Sequence, residues 1–266
     1  MSLHIEDTGG NGQPVILVHG WPLSAEAWEY QVPALNQAGH RVIAYDRRGF
    51  GRSTAPDDKY DYDTLAADLE EIIKEKNLND VTLVGFSMGG GEVARFIGNH
   101  GEARLKSVVF AAAVPPCLMQ SDDNPDGPLT EDAAQEFEDT LKADRDAFFD
   151  GFTKDFFSAD GDLKVTEEQR LQALDLCNQS SPDAALGCMR AWATTDFRND
   201  LEKITVPTLV LHGTADGIVP IEGSGHRTHK MVAHSNLCEI EGAPHGCNTS
   251  HVQDFNAGIL DFLGKH

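Results

Sequence analysis

Short, mainly apolar runs recur along the first part of the chain, each bounded by polar or turn-forming residues. They cover Pro14–Val18, Arg41–Tyr45, 81–84 and Leu105–Ala111. Each is short for a helix and too uniformly apolar for a strand with one wet face, which is the pattern of strands covered on both sides in a parallel sheet. Between them, apolar positions fall at three- and four-residue intervals over 25–38 and 62–76, predicting helices packed on that sheet. The alternation breaks after Ala111. It resumes with a strand over 208–211, a helix over 224–232, a strand over Asn236–Ile240 and a last helix over Val252–Leu263. Strands alternating with helices predict an α/β fold, a mostly parallel sheet flanked by helices on both faces. The opening residues, 2–12, read as an antiparallel hairpin that starts the sheet.

The interruption, residues 119–198, is helical in pattern, acidic and rich in aromatic side chains: Phe137, Phe148, Phe149, Phe152, Phe156, Phe157 and Trp192. A turn-forming stretch over 122–128 leads into it. An insertion between strands of such a sheet emerges at the sheet's edge, so this segment is expected to form a helical cap, with most of its aromatics in the cap's own core and a few lining a pocket. The expected organisation is a core built from 1–118 and 199–266 with the cap at 119–198.

A chain of 266 residues with 40% hydrophobic content suits one large domain carrying an insertion. With 43 acidic against 21 basic residues the net charge is −22, which excludes nucleic acid and anionic membranes as partners, since phosphate repulsion would dominate. The acidity, densest over 122–200, reads as a well-solvated surface, with adaptation to salt as the sharper alternative. The N-terminal residues 1–7 are acidic and lack an apolar signal region, and the longest nearly uncharged apolar stretch, 108–119, is too short to span a bilayer. A cytoplasmic protein is therefore expected. The five cysteines are scattered without a Cys-x-x-Cys pair, which fits free thiols in a reducing compartment. His226 and His229 are three residues apart but lack neighbouring Cys or carboxylate ligands, so they read as a solvent-facing pair and not a metal site.

Candidate chemistry centres on Gly85-Phe86-Ser87-Met88-Gly89, where a buried strand turns into a helix. Gly-x-Ser-x-Gly in that setting is a nucleophile elbow: the tight turn thrusts the serine hydroxyl over the sheet's end, and strand and helix pass too closely for side chains at 85 and 89. A serine hydroxyl needs a base and a group to orient that base. Asp216 follows the strand over 208–211, and His245 follows the strand Asn236–Ile240. Both fall at the carboxyl ends of parallel strands, where ligands bind in such sheets. The order Ser87, Asp216, His245 is that of α/β-hydrolases. The exit of the strand Leu105–Ala111 offers no carboxylate before Asp122, so Asp216 has no obvious rival. Of the eleven histidines, His212 lies on a buried strand and reads as a hydrogen-bonded core residue, while His4, His40, His100, His234, His251 and His266 fall in exposed or terminal segments. The developing oxyanion needs N–H donors. Met88, at the helix N-terminus, supplies one. The loop His19-Gly20-Trp21-Pro22 supplies the other through Trp21, because Pro22 has no N–H. His19 and Gly20 read as structural.

The motifs His19-Gly20-Trp21-Pro22, Tyr45-Asp46-Arg47-Arg48-Gly49-Phe50-Gly51-Arg52-Ser53, Gly85-Phe86-Ser87-Met88-Gly89-Gly90-Gly91-Glu92-Val93-Ala94-Arg95 and Gly242-Ala243-Pro244-His245-Gly246 resemble those of the cofactor-free bacterial haloperoxidases, or perhydrolases, and their aryl esterase and γ-lactamase kin in the α/β-hydrolase superfamily. The similarity extends over nearly the whole chain, including Ala113-Val114-Pro115-Pro116 and Thr194-Thr195-Asp196-Phe197. The resemblance implies an α/β-hydrolase fold with a helical cap, a Ser87-Asp216-His245 triad, and no cofactor or metal. It implies two-step acyl transfer from a small ester to water, or to hydrogen peroxide with release of a peracid that oxidises halide in solution. Phe86 and Met88 beside the serine lean towards the esterase side. A rigid φ at Pro22 is expected to tilt the Trp21 carbonyl towards the acyl-enzyme and help hold peroxide. A small apolar substrate pocket is expected, bounded by Trp21, Pro22, Phe86, Met88, Ile218 and Val219. Arg47, Arg48 and Arg52 are expected to brace the neighbouring loop and pair with acids. Lactam, amide or lactone hydrolysis, or carbon–carbon bond hydrolysis, remain alternatives on the same triad. The resemblance also admits a homo-oligomer, although no segment marks an interface.

Overall fold

Seven strands form one sheet in the computed structural model, which describes residues 3–55 and 59–266. Its members are β1 (Ile5–Asp7), β2 (Pro14–Val18), β3 (Arg41–Tyr45), β4 (Val81–Phe86), β5 (Leu105–Ala111), β8 (Thr208–Gly213) and β9 (Asn236–Ile240), while β6 (Ser158–Ala159) and β7 (Asp162–Leu163) make a separate small hairpin. The spatial order is β1-β3-β2-β4-β5-β8-β9. All neighbours run parallel except β1, which pairs antiparallel with β3, Ile5 opposite Tyr45. The interior strands β4 and β8 are buried along their whole length, as expected for strands covered by helices on both faces.

Two early expectations need correction. The hairpin over 2–12 does not form among the described residues, and Ser2 lies outside them. Gly9 and Gly10, both at positive φ, turn the chain from β1 into β2, which pairs with β3, so β1 lands on the outer edge of β3. Nor is 25–38 one helix. Ala25–Trp28 is a 3₁₀ turn capped by Ser24, and α1 (Gln31–Gln37) starts afresh. Pro33 explains the break: in a continuous helix its ring would collide with the carbonyl of Glu29, whereas at the third position of α1 no intrahelical N–H is required.

Beyond α1, the helices are α2 (Tyr62–Glu75), α3 (Met88–His100), α4 (Glu131–Ala143), α5 (Arg145–Phe157), α6 (Glu167–Gln179), α7 (Pro182–Thr194), α8 (Arg198–Leu201), α9 (Gly225–Met231), α10 (Cys247–Ser250) and α11 (Val252–Leu263). On α2, Leu65, Leu69, Ile72 and Ile73 form the buried stripe, and Asp61 caps its first turn through the Thr64 N–H. Helices α4 to α7 all lie between β5 and β8. Each starts at a side-chain cap: Thr130, Asp144, Thr166 with a reciprocal Gln169, and Ser181 ahead of Pro182. Among the described residues, no helix is long and apolar enough to cross a membrane.

Candidate active site

Ser87 sits between β4 and α3 at φ 53° and ψ −119°, a conformation that costs a non-glycine residue about 1–3 kcal/mol. Its backbone is held on both sides: the Ser87 N–H donates to Ala111 O at 2.9 Å, and the Val114 and Gly90 N–H groups donate to its carbonyl. The flanking glycines are required by close approach. A Cβ on Gly85 would lie 2.5 Å from Gly89 O, and one on Gly89 would lie 2.3 Å from Val18 O.

The sheet brings the three separated side chains together. Ser87 Oγ is 2.9 Å from His245 Nε2, and His245 Nδ1 is 2.7 Å from Asp216 Oδ2. All three residues are buried. The loops carrying Asp216 and His245 are laced to each other. The Ala215 N–H donates to Ala243 O, the Gly242 N–H to Thr214 Oγ1, and a Cβ on Gly213 would meet Ala243 O at 2.3 Å. Burial alone would raise the Asp216 carboxyl, but the attraction of His245 and hydrogen bonds from His212 and His245 hold it well below the usual carboxylate range. An ionised Asp216 accepts a hydrogen bond from the Nδ1–H and so keeps the proton on Nδ1, which leaves Nε2 bare to accept one from the serine hydroxyl.

Phe86 and Phe156 flank the imidazole, with ring centroids 5.4 Å and 5.1 Å from it. Phe86 belongs to a buried aromatic group with Trp28, Phe156 and Phe255. Phe156 ends a row on α5, where Phe148 stacks on Phe152 and Phe152 meets Phe156 at 5.5 Å. Trp21 packs against Phe148, Phe149, Phe152 and Trp192, and its indole N–H donates to Ala185 O on α7. The loop holding Trp21 and the buried Pro22 lies beside the serine, because a Cβ on Gly20 would be 3.2 Å from Ser87 Cβ. Met88 opens α3, where a first-turn N–H has no intrahelical acceptor. Ile218 and Val219 reach the site through their backbones, both N–H groups donating to Asp216 Oδ1. A cavity of about 590 Å³ is lined by Trp28, Phe156, Phe157, Leu176 and Asn248 but by none of Ser87, Asp216 and His245, so volume does not locate the chemistry.

Behind the loop over 19–22 lies a fully buried polar chain. Arg47 Nε donates to Glu92 Oε2 at 2.8 Å, the Tyr45 hydroxyl donates to Glu92 Oε1, and Arg47 Nη2 donates to His19 O at 2.7 Å. His19 Nε2 accepts from the Arg47 backbone N–H, so its proton sits on Nδ1, towards Gly20 O. Burial, reinforced by the Arg47 charge, pushes the His19 imidazole down to about 3. Arg48 pairs with Asp68, and Arg52 with Asp46 and Glu6. His226 sits on Glu239 and the half-buried His229 on Ser235. The sequence reading missed two features: Glu92 as the partner of Arg47, and the approach of His212 Nε2 to within 3.1 Å of Asp216. The run of small and apolar residues immediately around Glu92, Gly89 to Gly91 before it and Val93 and Ala94 after it, is the signal that hints at a buried partner.

A family model described as alpha/beta hydrolase fold matches residues 13–248. A non-heme chloroperoxidase of Kitasatospora aureofaciens is 40% identical over 96% of this chain and 94% of its own length. A bifunctional esterase/perhydrolase of Acinetobacter calcoaceticus is 34% identical over 99% of this chain and 96% of its own. The crystal structure of a bromoperoxidase from Bacillus anthracis is similar with a TM-score of 0.96 and 50% sequence identity, covering 98% of this chain and 95% of that one.

Proposed function

The chain belongs to the α/β-hydrolase fold family, and on that premise we propose that it is a serine esterase whose acyl-enzyme is shared between water and hydrogen peroxide. Supporting this reading is the unbroken hydrogen-bonded run from Ser87 Oγ through His245 to Asp216. Relatives bearing esterase, perhydrolase and non-heme chloroperoxidase names agree with it.

In this mechanism Ser87 Oγ attacks the ester carbonyl carbon while its proton passes to His245 Nε2. Asp216 steadies the imidazolium without taking the proton. The oxyanion is met by the backbone N–H groups of Met88 and Trp21, each donor of this kind contributing about 3 kcal/mol to the transition state. Collapse of the tetrahedral intermediate breaks the bond to the alkoxide, which leaves with the proton from Nε2. Water then attacks the acyl carbon with His245 as base and releases a carboxylic acid. Hydrogen peroxide, attacking in the same way, releases a peracid, which oxidises halide off the enzyme. Residues 119–198 act as the cap over this site. Trp21, Pro22, Phe86, Ile218 and Val219 shape the ground around the acyl group, and the α5 aromatics offer an apolar surface for the ester. A cytoplasmic place of action belongs to the same proposal.

The test is labelling with a fluorophosphonate followed by peptide mass analysis. One adduct per chain on Ser87, absent in Ser87→Ala, is expected, together with hydrolysis of p-nitrophenyl acetate in preference to a cyclic amide. An unlabelled Ser87 in folded protein overturns the reading.

A further inference from the structure

His212 stands one residue before the end of β8 and is fully buried. Its Nε2 lies 2.8 Å from Val219 O and 3.1 Å from Asp216 Oδ2. Both neighbours are acceptors, so Nε2 carries a proton. The other ring nitrogen, Nδ1, is buried without a partner, and Gly225 closes that side: a Cβ there would come within 2.8 Å of it. The ring is thus committed to one edge.

That edge closes a cycle. His212 donates to the Val219 carbonyl, the Val219 N–H donates to Asp216 Oδ1, and the flank of the same His212 N–H faces Asp216 Oδ2. With the Ile218 N–H also on Oδ1 and His245 on Oδ2, four donors surround one carboxylate. We propose that His212 is a positioning residue of the proposed acyl-transfer site, fixing the orientation of the Asp216 carboxylate and moderating its hold on the His245 imidazolium. This rests on the serine-esterase reading above.

The other ionisable groups on elements packed around His212 are engaged elsewhere or face solvent. Glu222 and Lys230 are exposed, as are Asp254 and Asp261 on α11. His226 pairs with Glu239, His229 with Ser235, and Arg227 with Asn124 and the Cys117 and Gly223 carbonyls. The buried Cys247 thiol is pushed far up by burial first and by Asp216 second, so it stays uncharged.

The experiment compares His212→Leu, His212→Gln and His212→Asn with the wild type across a pH series of kcat/KM for p-nitrophenyl acetate. The Gln amide nitrogen falls where Nε2 stood, whereas that of Asn falls nearer Nδ1. A carboxylate that has lost a donor holds an imidazolium more tightly. The Leu and Asn variants should therefore show an acid limb moved to higher pH by about half a unit or more and a kcat reduced about tenfold, with KM little changed. Gln should restore the limb. Where Leu fails to fold, the contrast of Gln with Asn decides. An acid limb common to all four proteins, or Gln as displaced as Asn, overturns the inference and leaves His212 a structural pin for the Val219 carbonyl. Fluorophosphonate labelling of the wild type is run in parallel: failure there sinks the esterase reading, while normal labelling with unmoved profiles sinks only the role of His212.

Discussion

Replacing Arg47 by methionine would strip the buried chain behind the loop over 19–22 of its cation while keeping most of the side-chain volume. Glu92 and Arg47 are essentially inaccessible to solvent. Burial holds the Glu92 carboxyl above its ordinary range, and the Arg47 guanidinium and Tyr45 hydroxyl offset only part of that rise. Removing one member of such a pair leaves a charge stranded in a poorly polarisable interior, which costs about 3–5 kcal/mol, more than the lost contact itself. At about 2.1 cal/mol/K per residue, unfolding 266 residues carries an entropy of about 0.56 kcal/mol/K, so Tm should drop by about 5–9 °C. The double variant Arg47→Met/Glu92→Met removes the stranded carboxylate; the His19 carbonyl loses Arg47 Nη2 in both variants, so relative to the single one the double adds an unpaired Tyr45 hydroxyl, a smaller penalty of about 1–3 kcal/mol. It should melt above Arg47→Met. The assay is calorimetry or circular dichroism at matched protein concentration. A loss below about 1 kcal/mol in the single variant, or a double variant less stable than the single, would refute the view that these groups stabilise each other chiefly by mutual neutralisation.

Three further outcomes follow from the same structure. Gly89→Ala puts a Cβ 2.3 Å from Val18 O, with backbone on both sides; it should cost about 1–3 kcal/mol and, by shifting Ser87, about a hundredfold in kcat/KM, and esterase assays near wild-type would contradict it. His19 is held down to about 3 from 6.5, so below about pH 6.5 the unfolded chain binds a proton that the folded chain refuses. Stability should therefore fall as pH drops from about 6.5 towards 3, joined only below about pH 4 by losses from Asp216 and Asp46, whose carboxyls are also held low. Urea midpoints should show this decline, flattened in His19→Gln; a wild-type midpoint that is level or rising on acidification through that window would count against it. Pro22→Ala should lower perhydrolysis more than hydrolysis of the same acetate ester, and equal losses in the two rates would reject a special role for its fixed φ.

The strands and the elbow were legible because their physics is local. A strand covered on both faces must be apolar throughout, as β2 and β4 are, and a strand that turns into a helix at close quarters must carry glycine at 85 and 89. The convergence of Ser87, His245 and Asp216 was legible because parallel strands deliver their carboxyl ends to one edge. What stayed hidden depends on docking between distant segments. The 45-residue separation of Arg47 from Glu92 gives no hint of a pair, and the four-residue spacing of Phe148, Phe152 and Phe156 fixes a helix face without saying that its end meets His245. His212 was read as a hydrogen-bonded core histidine, but its nearness to Asp216 depends on the loop after β8 folding back. The single helix expected over 25–38 failed for a local reason, Pro33, which periodicity alone outvoted.

A common acetyl-Ser87 is tested most directly by partition. Phenyl acetate and p-nitrophenyl acetate are turned over at a series of peroxide concentrations, and peracetic and acetic acid are measured together. Because both leaving groups have departed before the acceptor attacks, the ratio of peracid to acid should rise linearly with peroxide and be the same for the two esters, and both products should vanish in Ser87→Ala. A ratio that depends on the leaving group, or product formed by Ser87→Ala at the wild-type rate, would contradict it.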